Sequence, residues 1–273
     1  MSSKSILALA GMAAVFVSLN PSPAEAHRRW LLPSNTVLAG EEETVSVDAA
    51  ISNNLFGFDH HAMPLDDVSV VGPDGQTIQP AIIGSGEYRS VFDVPLKQQG
   101  TYRIASVSDG MMGFYEVDGQ RHRWRGTRAE MATALPANAT NVRTFENSSR
   151  TETFVTLGAP DDRALQPVGR GIEMVPVTHP NDLVASEPAQ MRFLVDGQPA
   201  AGLEVEFVQG GTKYRDEAGS RMLVADAAGL VTLEAPVPGM YYLEASRSND
   251  DEGAGQTAPR RMSYTAVLEF LPL

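Results

Sequence analysis

The side chains of this sequence best suited to chemistry are five histidines: His27, His60, His61, His122 and His179. The chain contains no cysteine, which excludes a thiol nucleophile and thiolate metal sites. A tight transition-metal site would therefore be built from imidazoles and carboxylates, a donor set suited to nickel(II), copper(II) or zinc(II). His60 and His61 stand in Asp59-His60-His61, directly after the apolar run Leu55-Phe56-Gly57-Phe58. On a strand their rings would point to opposite faces, so only one of them is expected in a given site. Asp59 could be a ligand itself or could orient an imidazole from behind. His179, in Val177-Thr178-His179-Pro180-Asn181-Asp182, could be an additional ligand, a supporting residue, or a hydrogen-bonding anchor between two halves of the chain. His122 is flanked by Arg121, Arg123 and Arg125. Cationic neighbours disfavour a metal there; the arginine cluster could instead bind an anion or pair with an acidic surface.

His27 gains its interest from what precedes it. Residues 1–26 have the layout of a secretory signal: Lys4, a small-apolar run from Ile6 to Leu19, helix-breaking Pro21 and Pro23, then Ala24-Glu25-Ala26. Cleavage after Ala26 is expected to deliver the protein to the periplasm with His27 as its first residue. A free α-amine has a pKa of about 7.7–8.0, so it can bind a metal at neutral pH. The amine and Nδ1 of a single N-terminal histidine can then chelate one ion. A further imidazole, with His60 the first candidate, would complete the three-nitrogen arrangement known as a histidine brace.

Composition narrows the function classes. A formal net charge of −13 repels phosphate backbones and anionic lipids, which argues against nucleic-acid and membrane-surface partners. No GxSxG, SxxK, HExxH, phosphate-loop or strand-following GxGxxG motif is present. Asp226-Ala227-Ala228-Gly229 lacks the alternating acids of an EF-hand loop. Met63, Met111 and Met112 are of the type that fills β-sandwich cores.

The elements that must position these residues read as strands. Thr44 to Ala49 alternates strictly, Tyr88 to Val94 alternates again, and Gly100 to Val107 resembles a late strand of an immunoglobulin-like sandwich. Gly72-Pro73-Asp74-Gly75, Asp196-Gly197 and Pro238-Gly239 mark turns. Thr127 to Ala134 is the one stretch that reads as a short helix. The pattern predicts an all-β protein of two tandem immunoglobulin-like or transthyretin-like β-sandwich domains behind a cleaved signal peptide. The divisions are 1–26 for the signal, 27–125 for the N-terminal sandwich, 126–182 for a connecting segment whose strands pack between the domains, and 183–273 for the C-terminal sandwich.

Four segments carry a family resemblance: Ala26-His27-Arg28-Arg29-Trp30-Leu31-Leu32-Pro33, Phe58-Asp59-His60, Gly171 to Leu183 with its Val175-Pro176-Val177-Thr178-His179-Pro180, and Asp196 to Gly202. They resemble a periplasmic domain-of-unknown-function family related to NikM-like nickel-uptake components. The resemblance spans essentially all of residues 27–273. It implies a secreted two-domain β-protein that binds a metal ion or metal complex, with no well-established catalytic activity, serving an outer- or inner-membrane metal transporter. It favours His27, His60 and His179 as site residues and gives no support to His61 or His122.

Two other functions compete. A copper oxygenase using the same brace on polysaccharide would need a flat binding face beside His27, and Trp30 and Trp124 are the only tryptophans. A purely structural or ligand-binding envelope module is the other, since sandwiches host binding of many kinds.

Overall fold

The computed structural model describes residues 27–249 and 259–273; the expected signal segment, residues 1–26, lies outside them. Among the described residues the chain is built of β-strands, with one short helix and two single 3-10 turns. Ser90–Leu96 buries every second side chain, and Glu43–Ser52 buries Val45, Val47 and Ala49, as the two-residue period of a half-buried strand requires. The first sheet runs in the order Arg28–Pro33, Glu43–Ser52, Ser90–Leu96, Ala81–Ser85, with all neighbours antiparallel. The helix, Arg128–Ala134, is opened by Thr127, whose hydroxyl accepts from the Glu130 N–H while the Glu130 carboxylate accepts from the Thr127 N–H. This reciprocal cap satisfies two backbone donors.

The second sheet crosses the whole molecule. Gly100–Val117 pairs antiparallel with Thr140–Leu157. Thr140–Leu157 in turn pairs in parallel with Arg260–Phe270, followed by Gly239–Ser248, Glu204–Gln209 and Arg221–Val224. The middle strand of this sheet comes from the segment read as a connector between sandwiches. A third sheet, Ile172–Pro176, Pro188–Val195 and Leu230–Glu234, covers the C-terminal half.

Two main cores result. One lies under the first sheet, around Leu31, Phe92, Tyr102 and Val155. The other lies under the third sheet, around Phe193, Phe207, Tyr241, Tyr264 and Phe270. A smaller core joins the halves: Trp30 from the first strand packs with Val208, Tyr242 and Val267 of the C-terminal half. The halves also repeat one device. Tyr102 donates its hydroxyl to the Gln98 carbonyl at 2.8 Å, and Tyr241 donates to the Val237 carbonyl at 2.8 Å. Each tyrosine stands two residues after a left-handed-region glycine, Gly100 and Gly239, at a strand entrance, as in the tyrosine corner of immunoglobulin-like sandwiches.

Candidate functional site

The end of strand Glu43–Ser52 organises the site from both edges. On one edge Arg28 pairs with Ser52, which sets His27 beside Asn53. On the other edge Ser90–Leu96 stops at Ala49, and the two-residue strand His61–Ala62 takes over against Ile51 and Ala50. The loop between is held down by its apolar run. Leu55 is buried with Trp30 and Tyr242, the rings of Phe56 and Phe58 lie 5.7 and 5.5 Å from Trp30, and Trp30 Nε1 donates to Ser52 Oγ at 2.8 Å. Trp30 thus anchors the loop instead of facing solvent.

Three imidazoles meet there. The rings of His27 and His60 stack at 3.7 Å with an interplanar angle of 19°, and the His61 ring lies 4.6 Å from that of His60. The expectation that His60 and His61 would face opposite ways is therefore corrected. His60 lies in the bend before the strand, where two-residue alternation does not apply, and only His61 belongs to the strand. His61 Nδ1 donates to the Ala62 carbonyl at 2.9 Å, leaving Nε2 as its lone-pair nitrogen. Desolvation, and then the neighbouring His27 and His61, pull the His60 imidazole below its ordinary value. This favours the neutral form that a metal requires.

Asp59 points back into its own loop. Its carboxylate accepts from the Asn53 N–H at 2.8 Å, the Asn54 N–H at 3.0 Å and Asn54 Nδ2 at 2.6 Å. Desolvation alone would raise its pKa, but these hydrogen bonds outweigh it and hold the group below its ordinary value. Asp59 accordingly supports the loop, and its charge raises the His60 pKa against the larger lowering effects. Asn53, which the sequence did not single out, contacts His27 directly: its Oδ1 lies 2.7 Å from His27 Nδ1.

His179 does not join this cluster. Its Nδ1 accepts from the Asn181 N–H at 3.2 Å, so Nε2 carries the proton and faces Thr101 Oγ1 at 3.0 Å and the Asp161 carbonyl at 3.2 Å. Thr101 and Ser108 are on one strand, about 23 Å apart at about 3.3 Å per residue, and it is Ser108 that shares a cleft with His27. His179 ties its segment to the central sheet. His122 stacks on Tyr115 at 5.3 Å, apart from the other rings.

As they stand, the clustered rings are stacked and do not converge: among the described residues no group of three His, Asp or Glu side chains is arranged to hold a metal ion. Capture would require the exposed rings of His27 and His61 to turn about their side-chain torsions, releasing the contacts with Asn53 and the Ala62 carbonyl.

The sequence pattern of the family described as "Domain of unknown function (DUF4198)" matches residues 24–249. The chain belongs to that family. No curated protein matches this DUF4198 member significantly. Among solved structures it is similar to the D0-D1 domain of intimin, with 13% identity, 88% of this chain and 97% of that chain covered, and a TM-score of 0.22. It is also similar to the mouse nectin-like molecule 4 ectodomain, with 12% identity, 90% and 64% covered and a TM-score of 0.21. Trypsin-activated alpha-2-macroglobulin from Escherichia coli shares 12% identity, with 90% and 24% covered and a TM-score of 0.20. Similarities at this level carry nothing about what the DUF4198 chain binds.

Proposed function

We propose that this chain is a metal-binding accessory protein of the bacterial periplasm. It takes nickel(II), copper(II) or zinc(II), free or as a complex, and hands it to an outer- or inner-membrane metal transporter. The observation that carries this reading is the meeting of His27, His60 and His61 rings across the end of one strand. Imidazole nitrogens are borderline donors that suit these ions, and removal of residues 1–26 would add the His27 amine to them. The role is binding and delivery. Trp30, completely buried, supplies no flat platform of the kind a polysaccharide oxygenase would need beside His27.

The test is periplasmic expression with native processing, followed by N-terminal mass mapping, elemental analysis and calorimetric titration with nickel, copper and zinc. The expected result is one bound ion per chain, lost in His27→Ala and weakened when one residue is added before His27. Correctly processed protein that carries no metal and shows no saturable titration would overturn the reading in favour of a structural envelope module.

A further inference from the structure

A cleft of about 390 Å³ opens directly beside His27. Its floor is the central sheet, where hydroxyl side chains stand opposite one another across neighbouring strands. Ser149 faces Ser108 on one side and Ser263 on the other, and Thr151 faces Thr265. Ser263 donates to Ser149, and Thr265 to Thr151, each at 3.0 Å. Its walls carry four guanidinium groups: Arg29, Arg123, Arg125 and Arg261. Arg123 and Arg125 share one face of strand Gln120–Gly126 through its two-residue period, and Arg29 comes from the first strand. The Arg261 guanidinium lies 4.4 Å over the Phe145 ring, which holds its plane.

Three of these cations, Arg29, Arg123 and Arg125, call for a compensating charge, and among the described residues little of it is supplied. Arg125 pairs with Asp67 at 2.7 Å. The one carboxylate in the lining, Glu244, accepts from the Tyr242 hydroxyl at 3.0 Å, and burial raises its pKa. Among the described residues Arg123 reaches the Met112 sulfur, at 3.8 Å, and no carboxylate. Arg29 has its Nε buried without a hydrogen-bond partner. Native proteins rarely leave a buried donor of this kind unmatched. A carboxylate or phosphate in the cleft would compensate the charge of these groups, because guanidinium forks bind such oxyanions with paired charge-assisted hydrogen bonds. The cleft volume is in the range of small-ligand sites.

We propose that this cleft binds a small polyvalent oxyanion through Arg29, Arg123, Arg125 and Arg261, and that His27 on its rim lets anion and metal ion bind side by side, as an anionic metal chelate presents them. The anion site stands on the cleft alone; the chelate rests on the metal reading above.

Calorimetry on the metal-free, natively processed protein tests the anion site, with citrate and inorganic phosphate as separate probes. Saturable binding is expected, weakening with added salt. It should be weaker by about tenfold or more in the Arg123→Gln/Arg125→Gln double variant and in Arg29→Gln, since each lost charge-assisted bond is worth about 1.5–3 kcal/mol. Circular dichroism verifies that both variants fold. Preference between the two probes tells a polycarboxylate site from a phosphate site. Absence of saturable binding of either at millimolar concentration, or binding unchanged in both variants, overturns the anion site. A titration with nickel alone reads the metal site separately. If the preformed nickel–citrate complex binds no tighter than citrate, the side-by-side arrangement is wrong even where both single ligands bind.

Discussion

Nδ1 of His27 donates to Oδ1 of Asn53 at 2.7 Å, so the nitrogen that a brace would use is the one that Asn53 holds. The Asn53 backbone is in turn fixed by Asp59, which makes a relay from carboxylate to amide to imidazole. Chelation through Nδ1 must displace this His27–Asn53 hydrogen bond and its proton, so Asn53→Ala should raise nickel affinity by up to about tenfold, the net worth of one hydrogen bond being about 0.5–1.5 kcal/mol. Calorimetric titration reads it. Affinity lowered in Asn53→Ala would show that His27 binds through Nε2, with Asn53 orienting the ring from Nδ1, and would rule out the brace.

His61 and His179 separate two readings of the histidines. His61→Ala should weaken nickel binding, because its ring lies in the cluster. His179→Ala should leave nickel stoichiometry and affinity as they were, while lowering stability by about 1–3 kcal/mol as the part-buried partners Thr101 and Asp161 lose their donor. Denaturant unfolding beside the metal titration measures both. The opposite pattern would move the site to the other end of the central sheet.

The paired tyrosine corners predict losses in both halves, the larger at Tyr102, whose hydroxyl also accepts from the Gln98 N–H at 2.9 Å. Tyr102→Phe and Tyr241→Phe each delete one hydroxyl that donates to a carbonyl four residues earlier. Each should cost about 0.5–1.5 kcal/mol. Since the residues lie more than one core apart, the double variant should show the sum.

Asp196 gives the acid limb of the stability curve a defined contributor. The hydrogen bond from Arg260, aided by that from the Gly171 N–H, holds its carboxyl below the ordinary value against the opposing effect of burial. The folded state therefore binds this proton less readily than the unfolded chain does. The stabilisation is complete above the unfolded value near 3.8 and is lost as pH falls through the lower folded value. Asp196→Asn should flatten stability between pH of about 5 and 2 and leave the curve's shape near neutrality unchanged, as followed by thermal unfolding across pH.

The strands were legible in the sequence wherever a single face is buried: Thr44 to Ala49 and Tyr88 to Val94 announced themselves by alternation, and Thr127 to Ala134 read as a short helix. What local pattern could not convey was pairing. Nothing near Thr140 indicates that it begins an 18-residue strand joining both halves, because its parallel partner lies more than a hundred residues away. The same limit hid the site. His27 and His60 were visible as donors, but their stacking depends on which edges of Glu43–Ser52 they flank, and so does Asn53. The arginines of Gln120–Gly126 were visible as a cluster, whereas Arg29 and Arg261 reach the same cleft only through sheet register.

The most demanding test of the central sheet is its buried ion pair. Glu152, 2% exposed, accepts from Arg150 Nη1 at 3.0 Å and from the Tyr264 hydroxyl at 2.9 Å, with Arg103 Nε at 3.9 Å. Tyr264 belongs to the final strand, so this contact bridges the parallel pairing of Thr140–Leu157 with Arg260–Phe270. Removing one partner leaves the other charge buried and uncompensated, which costs far more than the pair contributes. Glu152→Ala should therefore destabilise by about 3–5 kcal/mol, and Tyr264→Phe by about 1–3 kcal/mol through the acceptor left short of a donor. Replacing the group together, with Arg150→Met, Glu152→Leu and Tyr264→Phe, should recover most of the loss, because no unpaired polar atom of the triad then remains. Equilibrium unfolding in guanidinium of the single and triple variants decides it. A triple variant as unstable as Glu152→Ala would mean that the ion pair itself, and not merely its matching, secures the join between the two halves.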